Sequence, residues 1–160
     1  MPRGKEHYYR AKLTWTGAAS GGTRDYKAYS RAFRVDFNGK PTMAGSADPA
    51  FKGDAALHNP EDLLLAALAS CHMLSYLALA ALEGLEVVAY EDAAGGTMQQ
   101  QGRGGHFTEV VLHPRVILAP GSDLTRAEAL HEEAHKTCFI ANSVNFPVRH
   151  VADVSCAETC

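Results

Sequence analysis

The sequence carries no large charge of one sign. Fifteen Lys and Arg against eighteen Asp and Glu leave a net charge of −3 at pH 7. That excludes the basic footprint a polyanion needs, so nucleic acid is not an expected partner. There is no internal repeat and no extended low-complexity tract, which excludes solenoid and fibrous architectures. The opening MPRGKEHYYRAKLTW has charge and alternation where a signal peptide has an apolar run, so the cytoplasm is the expected address. Cysteine is scarce. The four are Cys71, Cys138, Cys156 and Cys160, and in a reducing compartment they are expected to be redox-active, metal-binding or free.

What remains is an ordinary soluble composition, 46% hydrophobic and 21% charged. A chain of 160 residues is expected to form one domain, 1–160, with its core over about 7–154 and a tail at 155–160. His7 to Trp15 and Tyr29 to Phe37 alternate as half-buried strands, the second ending at the hairpin signal Asn38-Gly39-Lys40. Asn59-Pro60-Glu61-Asp62 is a strong helix start and Gly84 a stop. Leu85 to Tyr90 and Phe107 to Leu118 read as strands around a long glycine-rich loop, Asp92 to His106. Pro114 marks an edge or a bulge. Thr125 to Cys138 is helical, with Thr125 and Glu128 as its capping box. Phe139 to Asn145 suggests a short helical turn, and Val148 to Val154 is a closing strand. Strands, helix, strands, helix, strand describe an α+β fold, not a doubly wound parallel sheet.

The segment HNPEDLLLAALASCHMLSYLALAALEG poses the main question. Leu63 to Leu82 has no charged residue, about the length that spans a bilayer. Yet it is alanine-rich, contains Ser70, His72 and Ser75, and has no flanking Lys or Arg to set a topology. No membrane partner is expected. A helix apolar on every side is otherwise buried on every side, and a small sheet cannot cover it, so burial by a second copy in a homodimer is the inference.

Cys71 on this helix is either core packing or a reactive thiol. A second thiol, Cys138, ends another helix, and a pair drawn from two helices could form a reversible disulfide. HEEAH, His131 to His135, matches a zinc-protease pattern, with Cys138 on the same face. The metzincin extension fails, because Ala141 replaces its third histidine, and a solvated helix face is the simpler reading. His72 points about 100° from Cys71 and is expected to bond a backbone carbonyl rather than act as its base. Tyr76 and Met73 read as core. Cys156 and Cys160, in CAETC, are given no catalytic role.

NPEDLLLAALASC resembles the Asn-Pro-Glu…Cys helix of the OsmC/Ohr family of thiol peroxidases. LHEEAHKTCFIAN looks like the segment with that family's second cysteine, and WTG with the glycine-rich turn at Arg24 looks like its first hairpin. The resemblance runs over roughly Lys12 to Val154. It implies an OsmC-like α+β fold with an antiparallel or mixed sheet, a long buried central helix and an intertwined homodimer. It also implies an organic hydroperoxide reductase of oxidative or osmotic stress defence. Cys71 would be its peroxidatic and Cys138 its resolving cysteine, with Glu61 and Arg24 as active-site partners. Arg31 competes for the arginine's role. No cofactor is implied; an external dithiol, lipoyl-type or thioredoxin-type, would reset the enzyme.

In that chemistry a guanidinium would stabilise the Cys71 thiolate, with Glu61 orienting it. Glu61 and Cys71 lie ten positions apart, about 15 Å along one helix and about 80° around it. They cannot meet within one straight helix, so either the helix breaks or Glu61 comes from the partner chain. Leu64, Leu68 and Leu74 near Cys71 predict a greasy approach that favours bulky organic hydroperoxides. Two other classes stay open: a metal-dependent hydrolase on the His131/His135 helix, and a non-enzymatic dimer holding an apolar ligand, with Cys71 as packing.

Overall fold

The long apolar segment folds as predicted at both ends. In the computed structural model, which describes residues 4–158, α1 runs without interruption over Pro60–Leu82. Asn59 Oδ1 accepts from the Asp62 N–H at 2.8 Å, while the Asn59 N–H donates to Asp62 Oδ2 at 3.3 Å. These reciprocal bonds satisfy orphan donors at the helix start. At the other end Gly84 takes φ 73°. The Leu85 N–H then reaches the Ala80 carbonyl at 2.9 Å and the Gly84 N–H reaches that of Ala81 at 3.2 Å, a Schellman ending.

The chain divides into two compact units, Met1–Leu63 and Leu64–Cys160. The first holds an antiparallel sheet of β1 (Ala11–Thr14), β2 (Phe33–Phe37) and β3 (Met43–Gly45), with β2 central. The Lys40 N–H donates to the Phe37 carbonyl at 3.1 Å around the expected turn. Both strands are shorter than their alternating patterns. Tyr29 to Ala32 instead belong to the preceding loop, which the Trp15 indole N–H closes on the Ser30 carbonyl at 2.7 Å. Gly17 passes so close there that a Cβ would lie 2.3 Å from the Ser30 oxygen. The half-buried face expected of the first strand is absent within this chain: Tyr9 is 89% and Leu13 67% exposed.

The second unit contains two three-stranded sheets, ordered β4-β7-β9 and β5-β6-β8. These are β4 (Val87–Asp92), β5 (Gly95–Gln101), β6 (Gly104–Leu112), β7 (Pro114–Leu118), β8 (Val148–His150) and β9 (Asp153–Cys156). The expected loop at Asp92 to His106 is in fact mostly β5 and the start of β6, an antiparallel pair. Every β5 residue is exposed. A strand of Gly, Thr, Met and Gln with no buried face shows no alternation, and its backbone ladder alone makes it a strand. Pro114 does interrupt the expected single strand, but it opens β7, the central strand of its sheet, where its missing N–H is tolerated. The closing strand likewise splits into β8, parallel to β6, and β9, parallel to β7. The same offset holds on both sides, Leu112↔His150 and Arg115↔Asp153, so the partner breaks where the β6–β7 run breaks.

Helix α2 covers Leu124–Thr137, and Asp123 rather than Thr125 is its N-cap, accepting from the Arg126 N–H at 3.0 Å. Aspartate two residues upstream of the predicted cap competes for the same orphan donors and wins. Tyr76 and Ala80 of α1 pack with Ala127, Leu130 and Ala134 of α2 on Val116 and Leu118 of β7. A second cluster joins Leu68 to Val110, Leu112 and Val148. Arg126 forks onto both carboxylate oxygens of Glu83 and reaches Glu133 at 2.7 Å, tying the end of α1 to α2.

Burial of α1 is not all round. Leu68, His72, Tyr76 and Ala80 form one buried stripe at four-residue spacing, and Ala66, Ser70, Leu74 and Ala78 form an exposed one. One chain therefore covers a single face of a helix that is uncharged on every face beyond its first turn.

Candidate active site

Two of the four site residues meet. Cys71 sits half-buried on α1, and Cys138 is the C-cap of α2, with 1% of its surface exposed. Both thiols are free, and Cys71 lies close enough to Cys138 to raise its thiol. Cys138 is held locally by its own helix end: its N–H donates to the His135 carbonyl at 3.4 Å, and the Ala141 N–H lies 3.5 Å from its Sγ. Burial pushes the Cys138 thiol up to about 11, with the adjacent Cys71 adding to the rise and the Ala141 N–H opposing it. At neutral pH Cys138 is a thiol, not a thiolate, and so a poor nucleophile toward peroxide. The expected short helical turn after it is present at Ala141–Ser143.

Glu61 and the arginines belong to the first unit. Arg24 is exposed in a turn. Arg31 lies with Glu61 in the wall of one small cavity of about 190 Å3, together with Ser46, Asp48 and Phe51. Its guanidinium is positioned from behind. It donates to the carbonyls of Tyr29 and Tyr26, both at 2.5 Å, and packs 3.6 Å from the Tyr29 ring centroid. Cation–π contact and two carbonyls hold a planar cation without neutralising it. Of the two arginines, Arg31 shares a cavity with Glu61.

The leucines do not all serve Cys71. Leu68 is fully buried in the core and Leu74 is 63% exposed, while Leu64 packs at the edge of the second core cluster. The predicted continuous apolar wall is therefore not formed by this chain alone.

The histidines overturn two expectations. His72 bonds not to a carbonyl but to another imidazole, with its Nε2 3.0 Å from Nδ1 of His131. His131 is not on a solvated face; both rings are about 99% buried. Tyr76 stacks on His131 at 4.1 Å, and its hydroxyl donates to the Ala127 carbonyl at 3.0 Å. His150, at the end of β8, stands 5.6 Å from His72 and 5.9 Å from His131, and His135 stands 6.1 Å from His150, centroid to centroid. Desolvation, and secondarily the neighbouring imidazoles, lower His72 to about 4 and His131 to about 3. His150 is lowered also, chiefly by burial. His72, His131 and His150 are therefore neutral at physiological pH. Among the described residues no group of three or more His, Cys, Asp or Glu side chains is arranged to hold a metal ion. The buried imidazole pair was legible in one respect: His131 falls on the same α2 face as Ala127, Leu130, Ala134 and Cys138, a pattern that a solvated face does not produce. Cys156, expected in a tail, is the last residue of β9; Cys160 lies outside the described residues.

Known proteins resemble this chain in sequence and fold. A family model described as OsmC-like protein matches residues 53–151. The structure of an OsmC-like protein of unknown function from Vibrio cholerae is 35% identical, covering 92% of this chain and 99% of that one, with a TM-score of 0.84. Two more distant structures share the fold. An organic hydroperoxide resistance protein from Elizabethkingia anophelis is 22% identical over 96% of this chain and 100% of that one, at TM-score 0.65. One from Legionella pneumophila is 18% identical over 97% and 100%, at 0.64. No curated protein sequence matches this one. The chain belongs to the OsmC-like family.

Proposed function

We propose that this protein is a two-cysteine peroxidase that reduces organic hydroperoxides to alcohols. The observation that carries the reading is the meeting of Cys71 and Cys138, thiols from two helices, in unlike environments. The Cys71 thiolate attacks the terminal peroxide oxygen and the O–O bond breaks. The alkoxide takes a proton and leaves as alcohol, and Cys71 becomes a sulfenic acid. The Cys138 thiol then attacks the Cys71 sulfur. Its proton leaves with the sulfenic hydroxyl as water, and a disulfide forms. A thiol held protonated does not compete for peroxide, and it gives up its proton to the departing hydroxyl as it attacks the Cys71 sulfur. An external dithiol, lipoyl-type or thioredoxin-type, reduces the disulfide. The organic hydroperoxide resistance proteins that share this fold support the substrate class.

The working unit in this reading is a homodimer. The exposed, uncharged stripe of Ala66, Ser70, Leu74 and Ala78 supports it, since water gains nothing from such a face. The continuity of α1 supports a shared site: Glu61 and Cys71 are ten residues apart on an unbroken helix, so Glu61 and its arginine are supplied to Cys71 by the second copy. Arg31 takes the arginine's role in preference to Arg24 because it shares the Glu61 cavity. Consumption of cumene hydroperoxide and hydrogen peroxide by wild type and Cys71→Ser tests the activity. Wild type should prefer the organic peroxide, and Cys71→Ser should be inactive. Equal consumption by both proteins defeats the reading. Mixing Glu61→Ala chains with Cys71→Ser chains tests the shared site, and heterodimers should regain part of the activity.

A further inference from the structure

Each helix that carries a reactive-site cysteine also carries a buried histidine, and the two histidines bond to each other. His72 directly follows Cys71 on α1. His131 precedes Cys138 by seven residues, two turns along the same face of α2. The 3.0 Å contact between His72 Nε2 and His131 Nδ1 is the only side-chain hydrogen bond described between rings of the two helices. One turn further along, Tyr76 donates to the Ala127 carbonyl. As position rises along α1 its partner falls along α2, so the helices run antiparallel through this seam.

Apart from the exposed Arg126–Glu83 ion pair at its far end, the rest of the seam is apolar: Ala80, Ala127, Leu130 and Ala134. Contacts of that kind hold helices together but discriminate weakly between neighbouring registers. A hydrogen bond between two buried rings is directional, and losing it strands polar nitrogens away from water. A disulfide needs what such a bond provides, because the sulfurs close only over a narrow range of Cα separation, roughly 4.4–6.8 Å. A one-residue slip moves a side chain by about 1.5 Å along the axis and 100° around it.

We propose that His72 and His131 are positioning residues for the Cys71–Cys138 couple. Their ring-to-ring hydrogen bond fixes α1 against α2 in the register that lets the two thiols close into a disulfide. This inference rests on reading Cys71 and Cys138 as a redox pair, but not on the identity of the oxidant. The bond needs one N–H and one lone pair, which two neutral rings supply. The groups facing it are Tyr76 on α1, Glu132 and His135 on α2 through His150, and His150 on β8. Among the described residues His131 Nε2 has no partner, and His72 is the only hydrogen-bond partner of that ring.

The test is a redox titration against reduced and oxidised dithiothreitol, in a Cys156→Ser/Cys160→Ser background, with folding checked by circular dichroism. His72→Leu and His131→Leu remove the bond at similar volume. The disulfide equilibrium constant should fall at least ten-fold, about 30 mV toward a more positive potential for a two-electron couple. An asparagine amide can occupy the place of Nδ1, whereas a glutamine amide reaches past it. His131→Asn should therefore keep the wild-type equilibrium within a factor of three, and His131→Gln should fall with the leucine variants. A role confined to stability would not separate these two. Equal constants in Asn and Gln variants overturn the proposal, even if the leucine variants do not fold. So does a wild-type protein that forms no Cys71–Cys138 disulfide. A normal titration in a protein inert to hydroperoxides leaves the clamp standing and defeats only the peroxidase reading.

Discussion

Acid should loosen this protein before its carboxylates titrate. His72 and His131 are buried neutral, at about 4 and about 3 against an ordinary 6.5. A base whose folded value is depressed binds its proton more readily in the unfolded chain. Stability is therefore full above about pH 6.5 and declines as pH falls toward the folded values. At pH 5 each unfolded imidazole is almost fully protonated while its native counterpart is not. Linkage then gives roughly 2 kcal/mol per histidine, about 4 kcal/mol for the two. Domains of this size are stable by only about 5–15 kcal/mol, so the loss is a large fraction. Asp92, raised by burial, works in the opposite direction. Urea unfolding followed by circular dichroism, at fixed protein concentration between pH 7.5 and 5, measures the effect. The double variant His72→Gln/His131→Asn removes both titrating groups and should cut proton uptake on unfolding at pH 5 by about two. A wild-type stability flat over this range, or an unchanged slope in the double variant, refutes the reasoning.

Three further outcomes are expected. Leu74→Glu puts a charge in the middle of the exposed α1 stripe, so sedimentation should show a shift from dimer to monomer with peroxidase activity lost in parallel. Arg31→Ala should lower kcat/KM for cumene hydroperoxide by at least 100-fold and Arg24→Ala by less than three-fold; the reverse order would hand the arginine's role to Arg24. Gly84→Ala forces a Cβ into a left-handed position at the end of α1. It should cost about 1 kcal/mol, read as a drop of a few degrees in Tm.

Legibility of the sequence followed the physics of each feature. The ends of α1 were plain because capping is local: Asn59, Pro60, Asp62 and Gly84 act on backbone groups within four residues. The two cysteines stand out because Cys71 lies on a helix without charged residues beyond its first turn and Cys138 ends a second helix. Strand β5 was hidden, since a fully exposed run of Gly, Thr and Gln leaves no periodic trace. The splitting of the last strand was hidden too, because it is dictated by a break in its parallel partner about 38 residues upstream. The start of α2 lies two residues before the expected cap because two capping residues, Asp123 and Thr125, compete across a single intervening leucine. The burial of His131 is obscured by its charged HEEAH neighbours, although its spacing from Ala127, Leu130 and Ala134 places it on the apolar face. The choice between Arg24 and Arg31 depended on a loop whose path is fixed by the Trp15 and Gly17 contacts, which no short pattern encodes.

The central claim is that Cys71 takes the oxygen and Cys138 closes the bond. Intact-mass spectrometry after one equivalent of cumene hydroperoxide tests it most directly, with wild type, Cys138→Ser and Cys71→Ser compared in the Cys156→Ser/Cys160→Ser background. The account predicts a loss of about 2 Da in wild type from one disulfide, a dimedone-trappable gain of about 16 Da in Cys138→Ser, and no change in Cys71→Ser. An unchanged wild-type mass, or a sulfenic acid on Cys138 in the Cys71→Ser protein at the wild-type rate, would contradict it.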